Sequence, residues 1–214
     1  MYVIKPGNGG TEARILIAEA REKALHWSFG GILPQPNNEN LRLTEGSLAE
    51  LPDGRLLALF RADTIEGNTD IPWYKWLTIS EDGGSSWKPT APLCYDHGQP
   101  VISPGSQPRL ILHSSGRLFF IGNILQAKCD PYLSRNSLSM IEIDTGSLMA
   151  IPESLSIIDA RTPDDHPFLA ISNFTALEDR FSGNILVYSP RTYNRAFSAS
   201  DSILMKHSLR ISEP

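Results

Sequence analysis

SLAELPDGRLLALFR, residues 47–61, decides how the chain is read. Two apolar segments flank Pro52-Asp53-Gly54, and the glycine stands where a tight turn requires positive φ, with Arg55 beginning the return segment. The stretch therefore predicts a β-hairpin. QPRLILHSSGRLFFIGN, residues 107–123, repeats the phrase in register, with Ser114-Ser115-Gly116 as its turn. A weaker third copy, ALEDRFSGNILVYSPR at residues 176–191, turns on Ser182-Gly183-Asn184.

Gly54 and Gly116 lie 62 residues apart, and Gly116 and Gly183 lie 67 apart. The period exceeds the roughly 40 to 50 residues of common propeller blades and leaves room for long loops. Sixteen glycines and sixteen prolines are scattered between short segments rich in Leu, Ile, Val, Phe and Trp, the punctuation of a many-stranded chain. ARILIAEAREK, residues 13–23, is full of good helix formers, yet Arg14 to Ala18 also fits a strand and is read as one. With the N-terminal segment as a partial unit, one domain over residues 1–214 is expected to hold three blades and part of a fourth. Their approximate limits are 1–40, 43–95, 101–150 and 155–211.

Composition narrows the function. A 214-residue chain that is 41% hydrophobic and 20% charged has the material for a sizeable core. Its formal charge is −5 and it has no Lys/Arg-rich run, so nucleic acid is not an expected partner. Cys94 and Cys129 form no CxxC pair and have no histidine at ligand spacing; they either pair or stay free. His26, His97, His113, His166 and His207 follow no metal-binding or nucleophile-elbow pattern, so no metal or cofactor is expected. No apolar run is long enough to span a bilayer, and no signal peptide is read at the N-terminus.

SEDGGSSW, residues 80–87, follows the strand-like Trp76-Leu77-Thr78-Ile79. The Asp82 carboxylate is expected to take backbone N–H groups of the Gly83-Gly84-Ser85 turn, Ser80 to tie its hydroxyl to the same turn, and Trp87 to cover the hairpin. The pattern S-x-D-x-G-x-x-W, met at Ser80, Asp82, Gly84 and Trp87, resembles the Asp-box, the bacterial neuraminidase repeat of sialidases and related six-bladed propellers. Thr44-Glu45-Gly46 ahead of the first hairpin and Arg61 at its end resemble a sialidase segment, and DHPFLAISNFTALEDRFSGNILVY, residues 165–188, resembles a closing blade of sialidase-like proteins. The resemblance spans roughly residues 43–188.

It implies an all-β, six-bladed sialidase-type propeller, incomplete here, acting on sialylated or other acidic glycans, in a family often secreted or periplasmic. A sialic acid bears a carboxylate on its anomeric carbon, which guanidinium forks clamp bidentately. In the family that the chain resembles, the nucleophile is a neutral Tyr activated by a Glu, and a separate Asp is the acid/base. Carried over, Arg61 and Arg109 bind the carboxylate, Glu45 activates the nucleophile and Tyr132 is that nucleophile, although Tyr188 and Tyr193 are equally available. Tyr74, beside Trp73 and Trp76, is a candidate sugar-stacking residue, and Asp179 and Arg180 are expected to pair with each other or with a neighbouring blade in a buried ion pair. The opening phrase with the first arginine and the acid/base Asp does not occur before Glu45, so the chain is expected to be the C-terminal part of a longer protein. A noncatalytic carbohydrate- or protein-binding propeller is the alternative.

Overall fold

The computed structural model describes residues 2–4, 12–21, 24–36, 41–64, 73–127, 134–193 and 202–212. Four antiparallel sheets follow one another along the chain. The first contains β1 (Tyr2–Ile4), β2 (Glu12–Arg21) and β3 (Ala24–Leu33), and the second β4 (Leu41–Glu50), β5 (Leu56–Thr64), β6 (Lys75–Ser80) and β7 (Ala91–Pro92). The third runs β8 (Arg109–Leu112), β9 (Leu118–Gly122), β10 (Ser137–Ile143) and β11 (Ser156–Ala160). In the fourth, β14 (Ile185–Thr192) pairs with β12 (Ala170–Ile171), β13 (Thr175–Glu178) and β15 (Ser202–Leu209). The helical content among the described residues is a single 3-10 turn, Pro152–Ser154, and no helix there is long and apolar enough to cross a membrane. This all-β array of blade-like sheets is the propeller architecture.

The repeated phrases form the hairpins β4–β5, β8–β9 and β13–β14. Gly54, Gly116 and Gly183 turn them at φ 86°, 83° and 69°, which a Cβ would oppose. The first two turns close alike, Leu51 N–H on Arg55 O at 2.7 Å and His113 N–H on Arg117 O at 2.9 Å. In the third, Asp179 N–H bonds Asn184 O, one residue farther on. That extra residue accounts for the weaker repeat. The helix-prone window is strand β2, because its apolar Ala13 and Ile15 are needed in the core beside the second sheet. Ser156–Ala160, expected to open the fourth blade, instead pairs with β10 as the outer strand of the third sheet.

Three apolar clusters join successive sheets. Ala13, Ile15 and Leu33 meet Leu43, Ala58 and Phe60; Leu57 and Leu59 meet Leu110, Phe120 and Ile141; and Ile121, Leu138 and Met140 meet Ile171, Ala176 and Val187. The second and third sheets are thus covered on both faces, whereas Leu25, Trp27 and Phe29 on β3 are each more than half exposed.

The Ser80–Trp87 turn seals one of these junctions. Ser80 Oγ is buried; it donates to Asp82 Oδ1 at 2.8 Å and accepts Gly84 N–H at 2.8 Å. Asp82 takes the Ser86 hydroxyl on Oδ2 at 2.6 Å and the Ser86 N–H on Oδ1 at 2.8 Å, and these two bonds hold its carboxyl down to about 2. Of the expected partners, Ser85 N–H contributes weakly to holding the carboxylate, Ser86 is the main partner, and Gly84 N–H goes to Ser80 instead, with Gly83 and Gly84 at φ 68° and 90°. Trp87 packs on the cluster between the first two sheets. Gly84 O in turn accepts Gly31 N–H from β3 at 2.7 Å, so the turn docks onto the neighbouring sheet. Gly30 makes the approach close: a Cβ there would stand 2.6 Å from Gly84 O.

Candidate functional site

A β-bulge builds the site. The pairing of β4 with β5 slips between Leu43 and Gly46, so Thr44 and Glu45 leave the ladder opposite the end of β5. Such a bulge redirects side chains. Glu45 Oε2 accepts Arg61 Nη1 at 2.9 Å, and Asp63 Oδ1, two residues along the same strand face, accepts Arg61 Nε at 2.6 Å. Thr44 Oγ1 donates to Asp63 Oδ2 at 3.0 Å and steadies the second carboxylate. Arg61 is therefore clasped on two sides, with 24% of its side chain exposed.

Directly across the β5–β6 ladder from Arg61 stands Lys75. Its side chain is fully buried, and Nζ donates to Pro104 O at 2.5 Å. Burial, with Arg61 and Arg135 nearby, pushes its ammonium down to about 7 against the opposing pull of Glu45 and Asp63. Arg135, from the segment before β10, donates through Nη2 to the next carbonyl, Gly105 O. Burial and Arg61 lower its pKa, while Glu45 and Asp63 raise it. Three cations and two carboxylates thus share one electrostatic neighbourhood.

The segment carrying those carbonyls is pinned between sheets. Tyr74 and Ile102 form a bridge, Ser103 N–H bonds Trp73 O at 2.7 Å, and Ser103 Oγ bonds Asn123 O at 2.6 Å. Asn123 then donates Nδ2 to Ser137 O at 2.5 Å and to Ile171 O at 2.9 Å, tying the third sheet to the fourth. Gly105 lies against Arg61; a Cβ on it would come to 3.5 Å from the guanidinium Nε. The buried Ser106 hydroxyl and Asn123 Oδ1 have no hydrogen-bond partner among the described residues.

Of the residues singled out in the sequence, the structure brings Glu45 and Arg61 together. Arg109 opens β8 with its side chain exposed and, among the described residues, takes no part in the hydrogen-bonded cluster. Tyr132 lies outside the described residues, as does Cys129. Tyr188 sits on β14 beneath the Lys206 ammonium, Tyr193 packs on the core between the third and fourth sheets, and Tyr74 is half-buried. Cys94 is a free thiol. Among the described residues, Asp179 caps its own turn through Phe181 N–H and the Ser182 hydroxyl rather than pairing with Arg180 or with a neighbouring blade; between the third and fourth sheets, Arg191 forms partly buried ion pairs with Asp159 and Asp165. Asp63, Lys75 and Arg135 were missed. Asp63 had a signal, standing two residues after Arg61 on a strand. No group of three His, Cys, Asp or Glu side chains among the described residues is placed to hold a metal ion.

No protein-family model matches the sequence, and no curated protein matches it. Solved structures do share its fold. A protein of unknown function from Dyadobacter fermentans is similar over 98% of this chain and 52% of its own, at 13% identity and a TM-score of 0.58. NanB sialidase from Streptococcus pneumoniae is similar over 92% of this chain and 27% of its own, at 17% identity and 0.56. An exo-1,5-α-L-arabinanase from a bovine ruminal metagenomic library is similar over 95% and 67%, at 12% identity and 0.52. The chain thus spans about half the length of the first and about a quarter of the second, and shares with these proteins a propeller fold on which glycosidases are built.

Proposed function

We propose that the chain is the part of a sialidase-like propeller glycoside hydrolase that recognises the anionic group of a terminal sialic acid or related acidic sugar. The observation that carries the reading is the clasped guanidinium of Arg61, set beside Arg135 and Lys75. A fork held on two sides by Glu45 and Asp63 is preorganised, so a carboxylate meets it without the entropic cost of ordering a free arginine. Arg109, on the next sheet, joins this recognition once a ligand is present. Glu45 acts on Tyr132, which stands three residues before Arg135 in the chain, and the acid/base Asp comes from blades that complete the ring.

Glycan binding without turnover is the second reading. It is favoured by the engagement of Glu45 with Arg61, since a carboxylate oxygen occupied by a guanidinium N–H must leave that contact before it can accept from a tyrosine hydroxyl. Hydrolysis of a fluorogenic sialoside, measured on this chain and on a longer chain carrying upstream blades, separates the two. Turnover by the longer chain supports the hydrolase; saturable binding of sialic acid with no turnover by either supports the lectin-like reading. Turnover of a neutral arabinofuranoside instead would discard the acidic-sugar assignment.

A further inference from the structure

A fully buried lysine without a carboxylate bonded to it requires a reason, because taking an ammonium out of water costs several kcal/mol unless it is compensated. Among the described residues Lys75 has one hydrogen-bond partner, Pro104 O, and it stands opposite another cation on the adjacent strand. Like charges in that register repel. Nothing in strand pairing needs the amine there.

Its geometry suggests a use. Lys75 and Arg135 grip consecutive carbonyls, those of Pro104 and Gly105, and Ser106 N–H closes a tight turn onto Pro104 O at 2.7 Å. Gly105, fixed in this way, forms the wall against which the Arg61 guanidinium rests. Among the described residues, the charged groups facing Lys75 are Arg61 and Asp63 from β5, Glu45 from the β4 bulge and Arg135 from the segment before β10; the 103–106 segment contributes only carbonyls and hydroxyls. With Lys75 protonated, cations outnumber carboxylates three to two in this set. With it neutral, they balance.

We propose that Lys75 is a positioning residue that, from beneath the site, holds the Pro104–Ser106 turn against Arg61 and, through its proton, sets the positive potential that draws an anionic sugar to the cluster. This rests on the acidic-sugar reading above. The test is calorimetric titration of N-acetylneuraminate into the wild-type chain at about pH 6 and about pH 8.5, values chosen to bracket a strongly depressed lysine. Affinity should fall about tenfold at the higher pH, the effect of one unit charge near 10 Å at an effective dielectric of about 20. Lys75→Met should bind with the weaker affinity at both values, while keeping every other titratable group. As a second readout that does not depend on the Met variant, the lysine ε-carbon resonances of the unmodified chain are followed as well, with Lys75→Arg identifying the signal.

A Lys75 signal titrating near 7 supports the proposal; one titrating at the ordinary lysine value of about 10.4 overturns it. Equal wild-type affinity at both pH values overturns the Lys75 role and leaves the acidic-sugar reading standing. Binding at neither pH overturns both.

Discussion

Replacing Lys75 with methionine turns the buried amine into a stability measurement. The ammonium titrates at 10.5 in the unfolded chain and at about 7 when folded. Between those values the unfolded state holds the proton and the folded state does not, so wild-type stability must rise with pH across that window. Below about 7 both states are protonated and the cost of burying the charge is carried in full; above 10.5 both are neutral and it vanishes. At about 1.4 kcal/mol for each unit of pKa, the difference amounts to at most about 5 kcal/mol, as an upper bound. Urea denaturation at intervals from neutral to alkaline pH measures it. Cys94 and Tyr95, both raised by burial, bend stability the other way at the alkaline end, but equally in wild type and variant. The wild-type slope minus that of Lys75→Met therefore isolates the lysine. Near neutrality the variant should be as stable as wild type or more so, since Pro104 O keeps the Ser106 N–H and a charge no longer has to be buried. Parallel slopes, or a variant weakened by about 3 kcal/mol or more near neutral pH, would refute the reasoning, because the second marks a buried pair that is net stabilising.

Other substitutions test the packing. Gly30→Ala would drive a methyl to 2.6 Å from Gly84 O and should cost about 1–3 kcal/mol in urea denaturation, with loss of amide-exchange protection at Gly31. Ser80→Ala strands the Gly84 N–H and should cost about 1–3 kcal/mol; an unchanged midpoint would mean that the turn does not rely on this hydroxyl. Phe60→Ala, at a fully buried position between the first two sheets, should cost about 3–5 kcal/mol by the same assay, whereas Trp27→Ser, at 59% exposure, should stay within about 0.5 kcal/mol.

The hairpins were legible in the sequence because their turns are local: a glycine at positive φ between two apolar segments leaves few alternatives. The Ser80–Trp87 turn was legible for the same reason, except that its carboxylate reaches Ser86. Glu45 and Arg61 were singled out by resemblance, in separate roles, and the hairpin that carries both is what brings them into contact. Lys75 and Arg135 were not singled out, since they arrive from the third strand of one sheet and from the segment before β10, and meet through the carbonyls of a turn between them. Strand alternation was no guide either. The second sheet is covered on both faces, so β6 buries Lys75, Thr78 and Ser80 while Trp76 and Leu77 remain partly exposed. The placement of β11 depended on a long-range pairing with β10 that residue type does not encode.

The measurement that tests the central claim most directly is the affinity of N-acetylneuraminate for the wild-type chain and for Arg61→Met, with the β-rich spectrum of each recorded to establish folding. Losing a charge-assisted clamp and leaving Glu45 and Asp63 to repel the ligand should weaken binding at least about tenfold to a hundredfold. A folded Arg61→Met chain that binds the sugar as tightly as wild type would contradict the account.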